Sequence, residues 1–183
     1  MIIFLNGWPG VGKLTVARHV VAATDGRLLD AHTIYNVAFY LTEFRTPAFY
    51  ETVRKVRDIA FDRVAELSPR TPVVMTNAFA ADSTWAEENW KAVRALADRR
   101  GSKLFFIELV CSQAENERRV QFEDRGLLGK PRDPSLIADM RQSRSLLRPE
   151  DADHLLCMDN TSLSPQACAI EIVAWIRSCD PSR

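Results

Sequence analysis

The chain has 183 residues in which 24 Lys and Arg balance 24 Asp and Glu, so no net field draws it to a polyanion and a general nucleic-acid coat is excluded. Hydrophobic residues at 46% and charged residues at 26% allow a buried core and exclude intrinsic disorder, and the length fits one domain over 1–183. No apolar stretch reaches the roughly 18 to 20 residues that span a bilayer, and an opening Met1-Ile2-Ile3-Phe4-Leu5 without a basic leader makes the cytoplasm the expected location.

Ile2 to Leu5 is a short apolar run that predicts a first strand. Directly after it comes Gly7-Trp8-Pro9-Gly10-Val11-Gly12-Lys13-Leu14-Thr15, holding three of the chain's seven glycines. A strand entering a Gly-rich turn and then a helix aims successive backbone N–H groups at one point, where the helix end adds positive potential. Phosphate oxygens fit there, and Lys13 can reach the β- and γ-phosphates as a mobile charge. Leu14 stands where the common loop carries Ser or Thr, so the hydroxyl usually placed on Mg²⁺ is missing from that position and Thr15 comes one residue later.

Arg27 to Asp30 is a weaker second strand, and Pro47 to Leu67 repeats apolar residues at helical steps, with Pro69 beyond its end. Between them lie Tyr35, Asn36, Tyr40 and Arg45. Arg54 and Arg57, three residues apart, can share a helix face suited to an anion, a pattern that a solvated outer face also gives. Pro72 to Met75 predicts a third strand ending near Thr76 and Asn77, and Ser83-Thr84 with Glu87 open a helix stopped by Gly101. Lys103 to Val110 predicts a fourth strand in which Glu108 is read as structural. Ser112 to Pro149 carries seven arginines and Lys130 against six acidic residues, with Arg118, Arg119 and Arg125 on an expected helix. Gly126, Gly129, Lys130, Pro131 and Pro134 then interrupt helical order over 126–134, around Arg132, as a hinged cover would require. His154 to Met158 predicts a last strand, followed by Asp159-Asn160-Thr161-Ser162 and a helix opened by Ser164-Pro165. Cys111, Cys157, Cys168 and Cys179 have neither metal-ligand spacing nor the density of a disulfide framework, so they read as free thiols.

Strands alternating with helices predict an α/β fold with a parallel sheet covered on both faces. With the G-x-P-G-x-G-K-x-T loop of Gly7 to Thr15, the chain resembles the P-loop small-molecule and nucleotide kinases, among them adenylate kinase, shikimate kinase, gluconate kinase, chloramphenicol phosphotransferase and tunicamycin-resistance-like proteins. The resemblance implies a three-layer fold with a five-stranded parallel sheet, a short mobile lid, and transfer of the γ-phosphoryl group of ATP, with Mg²⁺, to a small-molecule acceptor bound around 32–67. It implies further that Gly7, Pro9, Gly10, Val11, Gly12, Lys13, Leu14 and Thr15 hold the phosphates, Thr15 touching phosphate or a metal-bound water.

By the same resemblance Asp30 orients or deprotonates the acceptor hydroxyl or holds a metal-bound water, although a helix-capping aspartate reads identically. Asn77 contacts the acceptor or such a water, with Asp82 as the fallback carboxylate. Arg119 stacks on adenine, Arg125 or Arg132 approaches the phosphates, and Asn160 and Thr161 lie at the adenine edge. Tyr35, Arg54 and Arg57 contact the acceptor, and Trp8 shields the loop. The expected partners are nucleotide and acceptor, with neither nucleic acid nor membrane. Two other functions remain compatible with these residues: a nucleotide or nucleoside kinase, and an NTP-binding resistance or regulatory protein without a phosphorylated acceptor.

Overall fold

A computed structural model of the protein describes residues 1–121 and 133–181. The strands are β1 (Ile2–Asn6), β2 (Arg27–Asp30), β3 (Val73–Asn77), β4 (Leu104–Val110) and β5 (His154–Asp159). The helices described are α1 (Lys13–Thr24), α2 (Ala31–Leu41), α3 (Pro47–Glu66), α4 (Thr84–Arg99), α5 (Gln113–Val120), α6 (Pro134–Ser143) and α7 (Pro165–Cys179). The expected lid segment falls mostly outside the described residues, as do Arg125 and Arg132.

All strand pairs are parallel, in the order β2-β3-β1-β4-β5. The central strand is buried along its whole length, which is why it is a continuous apolar run and not an alternating one. Its side chains nevertheless divide by parity. Ile3 and Leu5 join Val16, Ala17 and Val20 of α1 and Ile172 and Ile176 of α7 on one face. Ile2 and Phe4 join Phe49 and Val53 of α3 and Trp90 and Val93 of α4 on the other. The Phe4 ring alone meets Phe79, Trp90 and Phe106 at centroid distances of 5.3, 5.6 and 5.8 Å. Two cores therefore sandwich the sheet, and the strand ends are left to carry chemistry.

Local chemistry sets the helix starts. Asp30, Thr46, Ser83, Ser112, Asp133 and Ser164 each accept a backbone N–H of the first turn they precede, the arrangement that short oxygen-bearing side chains provide. α1 is different: its N-cap is Gly12, with no side-chain cap and no acidic residue in the first turn. The chain leaves β1 toward β2 in one direction and β4 toward β5 in the other, so a crevice opens beyond their carboxyl ends, next to the uncapped start of α1.

Candidate active site

The crevice is a cleft of about 1000 Å³. Because β1 is the middle strand, the loop from Gly7 to Thr15 lies between two sets of residues carried by the outer strands. On the β4–β5 side the cleft is lined by Glu115, Arg118 and Arg119 of α5 and by Asn160 to Pro165 after β5. On the β2–β3 side it is lined by Asp30, His32, Tyr35, Phe39, Thr76 and Asn77. Pro9, Gly10, Gly12, Lys13, Leu14 and Thr15 form its floor.

The loop itself is held by contacts from distant sequence. Gly10 and Gly12 have φ of 94° and 93°, a region that side chains rarely enter. A Cβ at Gly10 would also stand 2.4 Å from Asn116 Nδ2 and from Val120 Cγ1, so α5 can approach only because nothing projects there. Asn116, fully buried, donates to the Pro9 carbonyl at 3.0 Å and accepts from Arg141 at 3.2 Å. The Val11 carbonyl accepts from both Asn160 Nδ2 (2.8 Å) and Arg119 Nη1 (3.1 Å). Lys13 Nζ is folded back onto the Gly7 and Trp8 carbonyls at 2.6 and 3.0 Å.

Arg119 is fixed on three sides. It donates to Glu115 at 2.6 Å and to the Asn160 side chain and carbonyl at 3.0 Å each. Two guanidinium groups, Arg118 first and Arg119 second, hold the Glu115 carboxyl down at about 2. The Thr161 hydroxyl is engaged with Asp159 and accepts from Ser112 N at 2.8 Å, so this side chain shapes the loop while lining the cleft.

Across the loop, Asp30 does two things at once. One carboxylate oxygen accepts from His32 N at 3.2 Å, capping α2, and the other accepts from the Thr76 hydroxyl on β3. Asp30 therefore caps α2 and also lines the cleft. Thr76 is its register partner on the neighbouring strand. The Tyr35 hydroxyl accepts from Trp85 Nε1 at 3.0 Å and is bonded to Asn77, and burial raises it above the ordinary tyrosine range. Asn77 also accepts from Ala78 N at 2.9 Å.

Several expected residues stand elsewhere. Arg54 and Arg57 do not line the cleft. Arg54 makes a two-pronged bond to Glu88 at 2.7 Å for each prong, and Arg57 donates to Asn89 at 3.0 Å. They tie α3 to α4, an arrangement that the charged-face pattern alone could not tell from a ligand-binding face. Trp8, 7% exposed, belongs to the core beside α1 and is not among the residues lining the cleft. Asp82 pairs with Arg144 at 2.9 Å, outside the cleft. Glu108 is buried and paired with Arg148, in keeping with a structural role.

No family model matches the sequence, and no curated protein is significantly similar to it. Solved structures do match. A candidate kinase from Chloroflexus aurantiacus superposes with a TM-score of 0.69 at 17% identity, covering 97% of this chain and 96% of that one. The APS kinase of Mycobacterium tuberculosis, solved with AMPPNP and APS, gives 0.61 at 17% identity, with 96% of each chain covered. The tunicamycin resistance protein of Deinococcus radiodurans gives 0.59 at 18% identity, covering 96% and 94%. The fold is that of the P-loop kinases. At these identities the likeness is one of architecture, with the five-stranded parallel sheet and helices on both sides.

Within this P-loop kinase fold, sequence reasoning missed Asn116, Arg141 and Asn6. Asn6 is fully buried at the end of β1 and accepts from Phe79 N at 2.7 Å while donating to the Phe79 carbonyl at 3.0 Å. It fixes the segment that follows Asn77. An asparagine ending an apolar strand was the available signal, since a buried amide must find partners. Among the described residues no group of three His, Cys, Asp or Glu side chains could hold a metal, and no helix is long and apolar enough to cross a membrane.

Proposed function

We propose that the protein is an ATP-dependent kinase that transfers the γ-phosphoryl group to a hydroxyl of a small-molecule acceptor. The observation that carries this reading is the position of the phosphate loop between two differently furnished halves of a single cleft. The half beside Arg119, Asn160 and Thr161 suits the nucleotide base and ribose. The half beside Asp30, Tyr35 and Asn77 suits the acceptor, and the γ-phosphate would lie where they meet.

Each of the chain's own groups has a part in that transfer. Backbone N–H groups of the loop and the uncapped start of α1 receive phosphate oxygens, and Lys13 stabilises the negative charge that builds on the β,γ-bridging oxygen as ADP leaves. Arg119 and Asn160 keep the Val11 peptide oriented, so the N–H groups are aimed before nucleotide arrives. Asp30, held by Thr76 and His32 N, is a fixed acceptor for a hydroxyl proton. The residues present fit Mg²⁺ as a cation that travels with its phosphates, since it keeps several waters and needs only one or two protein oxygens. Thr15 and Asp30, both lining the cleft, would meet such waters, and the cation would neutralise phosphate charge.

The test is thermal stability with ATP and Mg²⁺, followed by ADP release with hydroxyl compounds. Nucleotide at a hundredfold excess over its dissociation constant adds about 2.7 kcal/mol, a rise of about 5–10 °C for a chain of this size. Lys13→Ala should remove most of that rise at the same nucleotide concentration. Equal rises in the two proteins would refute the loop assignment. Nucleotide stabilisation with no acceptor-dependent ADP release across a broad acceptor panel would instead identify a nucleotide-binding protein that is not a kinase.

A further inference from the structure

The acceptor half of the cleft has a second wall, and its chemistry is specific. Phe39 of α2 and Phe44 of the α2–α3 connection both line the cleft, yet they are 43% and 60% exposed. Their rings are 5.8 Å apart, and Phe39 lies 5.9 Å from Tyr35 and 6.2 Å from His32. Behind them the buried Phe49 supports both, at 5.3 and 5.2 Å. The Arg45 guanidinium rests over the Phe44 ring, 5.1 Å from its centroid. Two water-facing phenyl rings braced by a third amount to apolar area held out toward a ligand.

The charges around this wall are mixed, since Asp30 shares the cleft with Lys13 and Arg18 and the Arg45 guanidinium stands at Phe44, so the rings and not the charge set the chemistry of the ligand. A cleft of about 1000 Å³ is at the upper end for one drug-sized ligand, which leaves space for a ring system beside a nucleotide.

We infer that the acceptor is an alcohol with an aromatic or fused-ring body, which stacks on Phe39 and Phe44 and presents its hydroxyl to Asp30. This rests on the kinase reading above and names the substrate class of that site. In the transfer, the acceptor oxygen forms its bond to the γ-phosphorus as the bond to the β,γ-bridging oxygen breaks, ADP leaves with that electron pair, and the hydroxyl proton passes to Asp30.

The experiment uses naphthaleneethanol and phenylethanolamine as aromatic probes, against glucose and gluconate, all with ATP and Mg²⁺. The two aromatic alcohols should stabilise the nucleotide-loaded protein and raise ADP release at least about tenfold over ATP alone. Phe44→Ala and Phe39→Ala should each raise the apparent KM for the aromatic probes by about three- to tenfold, the worth of one ring contact, while ATP stabilisation stays as in the parent protein. Phe44→Leu, at the more exposed position, serves as the milder variant. ADP release driven by glucose or gluconate but not by the aromatic probes would overturn the inference, and so would an unchanged KM in both alanine variants. No response to any probe in a protein that ATP does stabilise would overturn it too, leaving the nucleotide site in place. Absence of ATP stabilisation would overturn the kinase reading beneath it.

Discussion

Replacing Gly10 by alanine separates two costs that usually come together. Gly10 and Gly12 share nearly the same φ, 94° and 93°, so an alanine at either position carries a similar backbone penalty of about 1–3 kcal/mol. Their surroundings differ. A Cβ at Gly12 finds its nearest neighbours at 3.8 Å, an ordinary contact, whereas at Gly10 it stands 2.4 Å from both Asn116 Nδ2 and Val120 Cγ1. Neither of those atoms can retreat freely, because Asn116 is bonded to the Pro9 carbonyl and to Arg141, and Val120 is fully buried. Forcing a methyl group into such a site costs about 1–3 kcal/mol more. Gly10→Ala should therefore melt about 3–10 °C below Gly12→Ala. Circular-dichroism melts and urea titrations of both variants without nucleotide supply the comparison. Coincident melting temperatures would show that α5 does not press on the loop as described, and the argument for glycine at that position would fail.

Asp30→Asn should leave ATP stabilisation largely intact and slow acceptor phosphorylation by about 100-fold in single-turnover ADP formation; an unchanged rate would remove Asp30 from the reacting hydroxyl. Arg54→Ala should alter the acceptor KM less than about twofold while costing about 1 kcal/mol in urea unfolding, since its bond to Glu88 is partly exposed; a tenfold KM change would return it to the acceptor site. The Glu115 carboxyl, ordinarily 4.5 and held at about 2 by Arg118 and Arg119, should titrate near the lower value in carbon-detected NMR. Because its folded value is depressed, its contribution to stability is complete above about 4.5 and is lost as pH falls toward 2. Glu115→Gln should accordingly flatten stability across that window, and a titration near the ordinary value would contradict the Arg118–Glu115–Arg119 arrangement.

What could be read from the sequence was whatever is decided locally. The five strands, the Gly-rich turn between β1 and α1, and the starts at Ser83 and Ser164 all depend on a residue and its near neighbours, and they stand where expected. β2 matches its forecast of Arg27 to Asp30 to the residue. The acceptor wall was not legible in the same way. Arg54 and Arg57 have the spacing of a ligand-binding face, but whether a charged helix face meets a ligand, water or another helix is decided by which helix packs there. Glu88, 34 residues beyond Arg54, answered that question. Phe39 and Phe44 carried no signal in the sequence, because exposure is a property of the assembled molecule. Asn116 and Arg141 escaped notice for the same reason, each being defined by a carbonyl far away in sequence.

The double hold on the Val11 carbonyl has a kinetic meaning. Asn160 reaches it across 149 residues and Arg119 across 108. Contacts of such separation form after the shorter-range ones, because closing a long chain segment costs entropy before any contact repays it. The Gly-rich turn is thus among the first segments written into the chain, yet the hold on its Val11 carbonyl is complete only once α5 and the segment after β5 are in place. Nucleotide affinity gained during refolding would then act as a clock for the arrival of the carboxyl-terminal half.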